Sequence, residues 1–298
     1  MISNSLYSNA FGAIKQRQLN QDIALIELEH ALGSAVISLY GGQVLRWQPA
    51  NQQPVFWLSE QADYIQGKAI RGGVPLCWPW FGAYYNDSGE RLKTEGNHGF
   101  ARQKMWRVSS SKIEQDKLSI TLSLCGENHC TAWPAKYQLQ QELVFSKTFQ
   151  QKLIMTNLSN QVIHYSGALH SYLAVSHPEN VTVDTLSSIL FEDKLKAGRQ
   201  TIKRLVNCNG PIDRIYHSSN TQELVDSQWQ RKLILTSTNC QQWVLWNPGK
   251  KVASAMSDIH PQGENEYVCL EAASTEKISI APMQSKFMMQ SIEIENFL

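Results

Sequence analysis

Short runs of alternating apolar and polar residues recur along most of the chain. Between Leu118 and Leu124, every second residue is Leu or Ile, and the residues between them are Ser or Thr. This period of two places the apolar side chains on one face of a pleated strand, so we predict a half-buried antiparallel strand there. Comparable runs, separated by turn residues such as Gly41-Gly42, occur at 35–39, 139–145, 151–155, 181–185, 233–236, 243–246, 267–270, 278–280 and 287–294.

Helical patterning is weak by comparison. No window repeats apolar residues at the i, i+3, i+4, i+7 spacing of a long amphipathic helix, which argues against a doubly wound α/β fold. We therefore predict an all-β protein, built as a large β-sandwich or β-barrel. Neither an internal repeat nor a Pro/Ser-rich linker marks a boundary, so residues 1–298 are predicted to form a single domain.

Composition and charge exclude several classes of function. The chain has 298 residues, 42% of them hydrophobic, and a formal net charge of +1. Because it has no run of Lys and Arg, it lacks the electropositive surface that nucleic acid requires, and no such partner is expected. No segment approaches the roughly 18 uninterrupted apolar residues of a membrane span, and residues 1–11 do not resemble a signal peptide. We expect no membrane association and a cytoplasmic location.

The six cysteines are scattered through a chain that is long enough to fold without disulfides. In that setting we expect reduced thiols. Cys125, His129 and Cys130 lie close together in the sequence, but no second ligand pair follows at the spacing of a zinc site. No metal site is predicted.

Two segments are poor strand material and carry side chains capable of chemistry. Residues 70–82 combine glycines, prolines and three aromatic residues around Arg71, which predicts a shaped loop. That loop either covers an open end of the fold or serves a site. In the second segment, residues 95–102, His98 stands beside a glycine and precedes Arg102.

An enzyme that opens a sugar hemiacetal needs a base for the anomeric hydroxyl and an acid for the ring oxygen. Histidines at positions 98, 164, 170 and 177 lie in or beside strand-like runs, and Glu271 follows the apolar run 267–270. A carboxylate at that strand end is costly to bury without a partner, which makes it a candidate for function. Taken alone, these residues leave open the ordinary interpretation of a solvent-facing glutamate and hydrogen-bonded core histidines.

Five motifs change this picture because they occur together and in order. Residues 70–75 with 78–82, then 98–102, 168–172, 212–216 and 268–273 resemble the hexose-6-phosphate mutarotase (glucose-6-phosphate 1-epimerase) branch of the aldose 1-epimerase family. The resemblance extends from about Gly41 to Met283, nearly the whole chain. It implies a galactose-mutarotase-like β-sandwich with an open sugar-binding cleft.

The resemblance also implies a role for individual residues. His170, in the Leu-His-Ser-Tyr motif, matches the catalytic histidine of the family, and Glu271 matches its catalytic glutamate. His98 matches a second histidine that helps to bind the sugar. The substrate-binding residues that the resemblance implies are Arg71, Asn97, His98, Arg102 and Asp213. Asn97 stands where some relatives have Gln, which keeps the amide but shortens its reach.

The implied chemistry uses an ionised Glu271 as base and a protonated His170 as acid, so that no metal or cofactor is expected. Arg71 and Arg102 favour a phosphorylated aldose, because a guanidinium meets phosphate oxygens with a fork of donors. An arginine of this kind can equally pair with a carboxylate of its own protein. Trp78, Trp80 and Phe81 fit either the walls of a sugar site or core packing. We expect the protein to act as a monomer.

Two other functions remain open from the sequence. A β-sandwich with Trp-rich loops can bind carbohydrate without changing it, but binding alone does not require His170 together with Glu271. A glycoside hydrolase needs two carboxylates, which Asp213 and Glu271 would supply, but the histidines would then have no evident role. We rank the mutarotase first, the binding module second and the hydrolase third.

Overall fold

The computed structural model describes residues 3–86, 88–196, 198–202 and 204–297. In this part of the chain the strands are β1 (Ser3–Asn9), β2 (Gly12–Gln18), β3 (Ala24–His30), β4 (Gly33–Ser38), β5 (Gln43–Pro49), β6 (Leu76–Cys77), β7 (Arg107–Ile113), β8 (Leu118–Gly126), β9 (Tyr137–Phe145), β10 (Thr148–Asn157), β11 (Ile163–Leu169), β12 (Tyr172–Ala174), β13 (Val181–Thr182), β14 (Phe191–Asp193), β15 (Arg199–Gln200), β16 (Ile212–Tyr216), β17 (Gln222–Asp226), β18 (Arg231–Thr238), β19 (Gln242–Asn247), β20 (Tyr267–Ile280) and β21 (Ser285–Asn296). The helical segments are α1 (Gly249–Ala253) and the 3-10 turns Lys93–Glu95, Ala101–Gln103, Pro178–Asn180, Asp184–Leu186 and Gly263–Asn265.

The strands form three sheets. The first sheet has the order β1-β2-β3-β4-β5, and the second has the order β13-β17-β18-β21-β10-β9-β8-β7. The third sheet has the order β15-β14-β16-β19-β20-β11-β6, with β12 also paired to β20. One cluster of buried side chains joins all three sheets and includes Trp47, Leu153 and Leu270. This arrangement confirms the predicted mainly β, sandwich-like fold, with the hydrophobic core enclosed by the sheets.

The third sheet has two different faces. Leu270 and Ala272 of β20 point into the main core, whereas Ala273 belongs to a separate cluster with Val244 of β19, against which Phe81 packs. Because successive side chains of a strand point to opposite faces, Glu271 lies on the face that is turned away from the main core. This second face carries the candidate site.

Most of the predicted strands are confirmed, and β8 buries every second residue from Leu118 to Leu124, as its alternation predicts. The prediction of Glu271 at a strand end is wrong. The two runs predicted at 267–270 and 278–280 are parts of one strand, β20, and Glu271 is its fifth residue. Pairing with β11 covers residues 272–274 and, after an irregularity in the register, residues 278–280, so the strand outlasts the apolar run. The run predicted at 181–185 ends at Thr182, because a 3-10 turn begins at Asp184.

The first three strands were not among the predicted runs. In β2 the burial pattern leaves Ile14 as the one fully buried residue, so this strand carries little periodic signal. Helices are short, in agreement with the sequence. The longest in the described part of the chain is α1, with five residues, and no helix there spans a bilayer.

Candidate active site

The structure brings the two predicted catalytic residues into contact. His170 stands at the break between β11 and β12, and Glu271 lies on β20, which pairs with both of these strands. The Nε2 atom of His170 is 3.3 Å from Oε1 of Glu271. Glu271 is 1% exposed and His170 8%, so the pair is nearly closed to bulk water. Among the described residues, Nδ1 of His170 and Oε2 of Glu271 have no hydrogen-bond partner, which is a common mark of a functional group.

Burial also sets the ionisation of this pair. It raises the pKa of Glu271 well above its ordinary value, and the charge of Asp213 adds to the rise, while Arg102 opposes it. Burial lowers the pKa of His170 well below its ordinary value, and electrostatic interactions with His98 and Arg102 act in the same direction. Both shifts disfavour charge, so a single proton shared by the pair favours the carboxyl of Glu271 over the imidazole.

His98 is held beside the pair by an unusual turn of the backbone. Its φ is 66°, and Gly99 follows with a φ of 66°. A Cβ atom on Gly99 would lie 2.0 Å from the carbonyl oxygen of Trp78, so only glycine fits that position. The ring of His98 is 5.8 Å from that of His170, at an interplanar angle of 72°. The sequence that looked unsuited to a strand therefore serves to aim a histidine into the site.

The hydrogen bonds of His98 define its chemistry. The main-chain N–H of Gly82 donates to Nδ1 of His98 at 3.2 Å, which leaves the ring proton on Nε2. Burial lowers the pKa of His98 to about 3, and the charges of Arg102 and Arg71 contribute to this shift. His98 is therefore a neutral donor, suited to a sugar hydroxyl and not to proton transfer.

Arg71 is already paired within the protein. Its Nε donates to Oδ2 of Asp258 at 3.0 Å, and its Nη1 donates to the hydroxyl of Tyr172 at 2.8 Å. Burial alone would lower the pKa of the guanidinium, but Tyr172 and Asp258 outweigh it and raise that pKa. No motif in the sequence pointed to Asp258, which lies 187 residues away from Arg71 and meets it only in the folded chain.

Arg102 is less committed than Arg71. Its Nη2 donates to the main-chain carbonyl of Asn97 at 2.8 Å, and its Nε is buried without a hydrogen-bond partner among the described residues. Burial lowers its pKa, and the nearby Arg71 adds to this effect. Because the two positively charged guanidinium groups repel each other, an anion bound beside them would be stabilised.

Asp213 and Asn97 occupy the edges of the site. Asp213 lies on β16, in register with Trp246 of β19, and its charge reaches Glu271. Burial raises the pKa of Asp213, with Lys194 opposing the rise. Asn97 is exposed, and its recorded link to the site is its main-chain carbonyl, which accepts from Arg102. Six of the seven predicted residues thus converge electrostatically or by contact, and Asn97 is joined through its backbone.

The aromatic residues of the loop 70–82 divide between the core and the site. Trp78 is 0% exposed and packs against Trp133 and other core aromatics, so it is not a wall of the site. Phe81 does reach the site, where its ring lies 5.0 Å from that of His98. Sequence reasoning missed Tyr172, whose ring stacks on His170 at 4.8 Å and 8°. The motif around His170 contained this residue, but stacking across one intervening residue was not inferred.

One cavity, with a volume of about 680 Å³, is lined by neither His170 nor Glu271. It lies between the Trp80–Tyr85 stretch and the start of β11. Phe81 lines this cavity and also contacts His98. The candidate chemistry rests on the side chains that converge around His170 and Glu271, and not on cavity size. No group of three or more His, Cys, Asp or Glu residues in the described part of the chain is placed to hold a metal ion.

Comparisons with known proteins point to one family. A family model described as aldose 1-epimerase matches residues 24–288. An Escherichia coli K12 protein named "Putative glucose-6-phosphate 1-epimerase" is 28% identical over 286 residues, which cover 94% of this chain and 93% of that protein. A Haemophilus influenzae protein of the same name is 30% identical over 223 residues, which cover 74% of each chain.

Solved structures agree with the fold. A Salmonella typhimurium protein called a "putative mutarotase" superposes with a TM-score of 0.85 at 28% identity, covering 95% of this chain and 94% of that one. Galactose 1-epimerase from Lactobacillus acidophilus gives a TM-score of 0.74 at 12% identity, covering 100% and 99%. At so low an identity the second likeness concerns the fold alone. The galactose-mutarotase-like fold expected from the sequence is confirmed.

Proposed function

Because the chain belongs to the aldose 1-epimerase family, we propose that it interconverts the α and β anomers of a hexose 6-phosphate, with glucose 6-phosphate as the first candidate. The broader statement, that the protein is an isomerase of sugar anomers, follows from family membership and from the mutarotase among its structural relatives. The names of the Escherichia coli and Haemophilus influenzae relatives support the phosphorylated substrate.

The observation that carries the proposal is the buried contact between His170 and Glu271. Ring opening requires one proton to leave O1 and another to reach O5 of the same sugar. An acid and a base held 3.3 Å apart on one face of a rigid sheet supply both transfers. A protein that only binds carbohydrate has no use for such a pair, since burying both groups costs stability.

Each step balances its protons. The carboxylate of Glu271 accepts the O1 proton, protonated His170 donates to O5, and the C1–O5 bond breaks to give the open-chain aldehyde. Rotation about C1–C2 presents the other face of the carbonyl. His170 then removes the proton from O5 as O5 attacks C1, Glu271 returns a proton to O1, and the opposite anomer forms.

The pKa shifts give this sequence a direction. Before ring opening the proton of the pair is on His170, and after ring opening it is on Glu271. Burial raises the pKa of Glu271 and lowers that of His170, so it favours the distribution that accompanies the open-chain aldehyde. With the cyclic sugar bound, the form of the pair that reacts is therefore the less favoured one, in which Glu271 is ionised and His170 is protonated, and ring opening returns the pair to its favoured form.

The neighbouring residues fit substrate binding. Neutral His98 presents an N–H donor, and Asp213 presents acceptors for hydroxyl groups. The Nε of Arg102 is buried without a hydrogen-bond partner among the residues that the structure describes, whereas Arg71 already binds Asp258 and Tyr172. Arg102 is therefore the better of the two arginines for the phosphate. The phosphate then bonds to a guanidinium whose charge is otherwise poorly balanced.

Saturation-transfer NMR of anomer exchange tests the proposal, with glucose 6-phosphate and glucose compared at equal enzyme concentration. Greater acceleration of the phosphorylated sugar is the expected result. Acceleration of glucose alone would remove the phosphate part of the proposal. The matched ligand 1,5-anhydroglucitol 6-phosphate lacks O1, so binding of this compound without acceleration of either sugar would identify a carbohydrate-binding protein and refute the enzyme.

A further inference from the structure

Three glutamines interrupt the apolar interior of the second sheet. Gln141 on β9, Gln151 on β10 and Gln290 on β21 are each 0% exposed. Their side chains point inward, on the same strand face as buried residues such as Leu143 and Leu153. A buried amide destabilises a fold unless its hydrogen bonds are made, and an apolar side chain would fill such a position at lower cost. Their presence therefore calls for an explanation.

The three amides form one directed chain of hydrogen bonds. Nε2 of Gln290 donates to Oε1 of Gln151 at 2.7 Å, and Nε2 of Gln151 donates to Oε1 of Gln141 at 2.7 Å. Nε2 of Gln141 donates to the main-chain carbonyl of Gly42 at 2.5 Å. At the other end, the hydroxyl oxygen of Ser171 lies 2.9 Å from Nε2 and 3.0 Å from Oε1 of Gln290. This chain of hydrogen bonds crosses the core. It ends at Gly42 and at Ser171, neither of which belongs to the second sheet.

One end of this glutamine chain adjoins the catalytic pair. Ser171 is 0% exposed and follows His170 directly, at the break between β11 and β12. A functional histidine is normally oriented by a hydrogen bond on its second ring nitrogen, but Nδ1 of His170 has none among the described residues. Besides the contact of its Nε2 with Glu271, its orientation therefore depends on the main chain that carries it and on the stacked ring of Tyr172.

The other end adjoins the arginines. Gly42 is followed by Gln43, whose Nε2 donates to the carbonyls of Ile70 at 3.1 Å and Gly72 at 2.6 Å, the two neighbours of Arg71 in the sequence. Gly42 follows Gly41, where an added Cβ would lie 2.8 Å from the carbonyl oxygen of Arg102. The chain of amides thus runs between the backbone that carries the catalytic histidine and the backbone on which both arginine segments rest.

We infer that Gln141, Gln151 and Gln290 are positioning residues, which fix Ser171 and hence the imidazole of His170 relative to Glu271. Hydrogen bonds have a preferred direction and length, whereas apolar packing tolerates sliding, so a connected polar chain specifies one arrangement where leucines would allow several. A displacement of about 1 Å at a catalytic group can lower a rate by about 10²-fold. The inference rests on the proposed function for its meaning in catalysis.

The sharpest test replaces the whole chain at once, with Gln141→Leu, Gln151→Leu, Gln290→Leu and Ser171→Ala combined. Removing all four side chains leaves no unpaired buried side-chain amide, and the main-chain carbonyl of Gly42 loses one donor, so thermal stability is expected to change little. For anomer exchange of glucose 6-phosphate, kcat should fall by about 10- to 100-fold, with KM changed by less than about threefold. A large loss of turnover with little change in stability is not what a merely structural role predicts.

The matched control is Gln222→Leu. Gln222 is also 0% exposed and lies in the second sheet, but it binds Thr185 and Asn220 and is not part of the chain. Its kcat should stay within about threefold of the wild type. If the combined variant fails to fold, Ser171→Ala and Ser171→Thr replace it. Loss of the hydroxyl should lower kcat, and Thr, which keeps a hydroxyl, should restore it.

A second readout does not depend on activity. In protein labelled with ¹⁵N-histidine, the ring nitrogens of His170 report its tautomer and surroundings. The inference predicts that these signals shift or broaden in the combined variant and in Ser171→Ala, but not in Gln222→Leu. Unchanged signals together with unchanged kcat would overturn it. If the wild type fails to exchange anomers, the proposed function fails, and the His170 signals alone decide whether the glutamine chain positions that ring.

Discussion

Replacing Glu271 with Gln is the most informative single change. The amide has nearly the shape of the carboxyl group and fits the same buried position on β20, where 1% of the residue is exposed. In the wild type, Nε2 of His170 lies 3.3 Å from Oε1 of Glu271, and the amide keeps a polar atom at this position. What it loses is the ability to accept and return a proton. The change therefore separates the proton transfer from the packing.

The expected magnitudes follow from these contacts. A positioned general base typically contributes about 10²- to 10⁴-fold to a rate, so kcat should fall by that factor. KM should change by less than about threefold, because the binding residues are untouched. Burial raises the pKa of Glu271 above its unfolded value. The stability contributed by its protonated form is therefore lost as pH rises through the folded pKa, and the uncharged amide escapes this loss.

The assay is saturation-transfer NMR of glucose 6-phosphate anomers, combined with thermal unfolding at about pH 8. The midpoint of unfolding of the variant should equal or exceed that of the wild type. Glu264→Gln is the matched control, since Glu264 is also buried, at 7% exposure, but lies in the 3-10 turn Gly263–Asn265. Near-normal turnover by a folded Glu271→Gln protein would refute the catalytic role of the carboxyl group.

Three further predictions concern pH, phosphate and backbone. At saturating substrate, kcat should change by less than about twofold from pH 5.5 to 7. The lowered pKa of His170 moves uptake of a second proton by the pair to lower pH, and the raised pKa of Glu271 moves loss of the first proton to higher pH. A fall in kcat centred on pH 6.5, the ordinary histidine pKa, would contradict this. Arg102→Gln should lower kcat/KM for glucose 6-phosphate by about 10- to 100-fold, because it removes a charge-assisted hydrogen bond to the phosphate. The kcat/KM for glucose should fall by less than about threefold. Equal losses for the two sugars would argue that Arg102 does not bind the phosphate. Gly99→Ala should lower the midpoint of thermal unfolding more than Gly96→Ala. Both glycines have positive φ, but a Cβ at Gly99 would lie 2.0 Å from the carbonyl oxygen of Trp78, whereas a Cβ at Gly96 meets nothing within 4 Å. Similar midpoints for the two variants would show that the close contact is relieved.

The alternation of apolar residues was enough to predict an all-β protein, because it depends on local periodicity alone, and the choice of a sandwich over a barrel came from the resemblance. It failed where burial is not local. Glu271 follows an apolar run in the sequence, but its strand continues through polar residues and pairs with β11 again at residues 278–280. Strand β2, with one buried residue, offered too little contrast to be recognised.

The sequence predicted which residues form the candidate site but not the contacts between them. His170 and Glu271 are 101 residues apart in the sequence, and their pairing was inferred from the order of motifs. The bond between Arg71 and Asp258 depends on two loops that only the fold brings together. Gln141, Gln151 and Gln290 look like ordinary polar residues of alternating strands until the sheet shows that they face inward. The single domain, the monomeric state and the cytoplasmic location stay predictions.

The most direct test of the central claim is the rate at which α- and β-glucose 6-phosphate exchange in the presence of catalytic amounts of the wild-type protein. Saturation of one anomeric proton signal should attenuate the other in proportion to enzyme concentration, and much more than in buffer alone. An exchange rate equal to that of the uncatalysed reaction, for glucose 6-phosphate and for glucose, would contradict the assignment of His170 and Glu271 as an acid–base pair for ring opening.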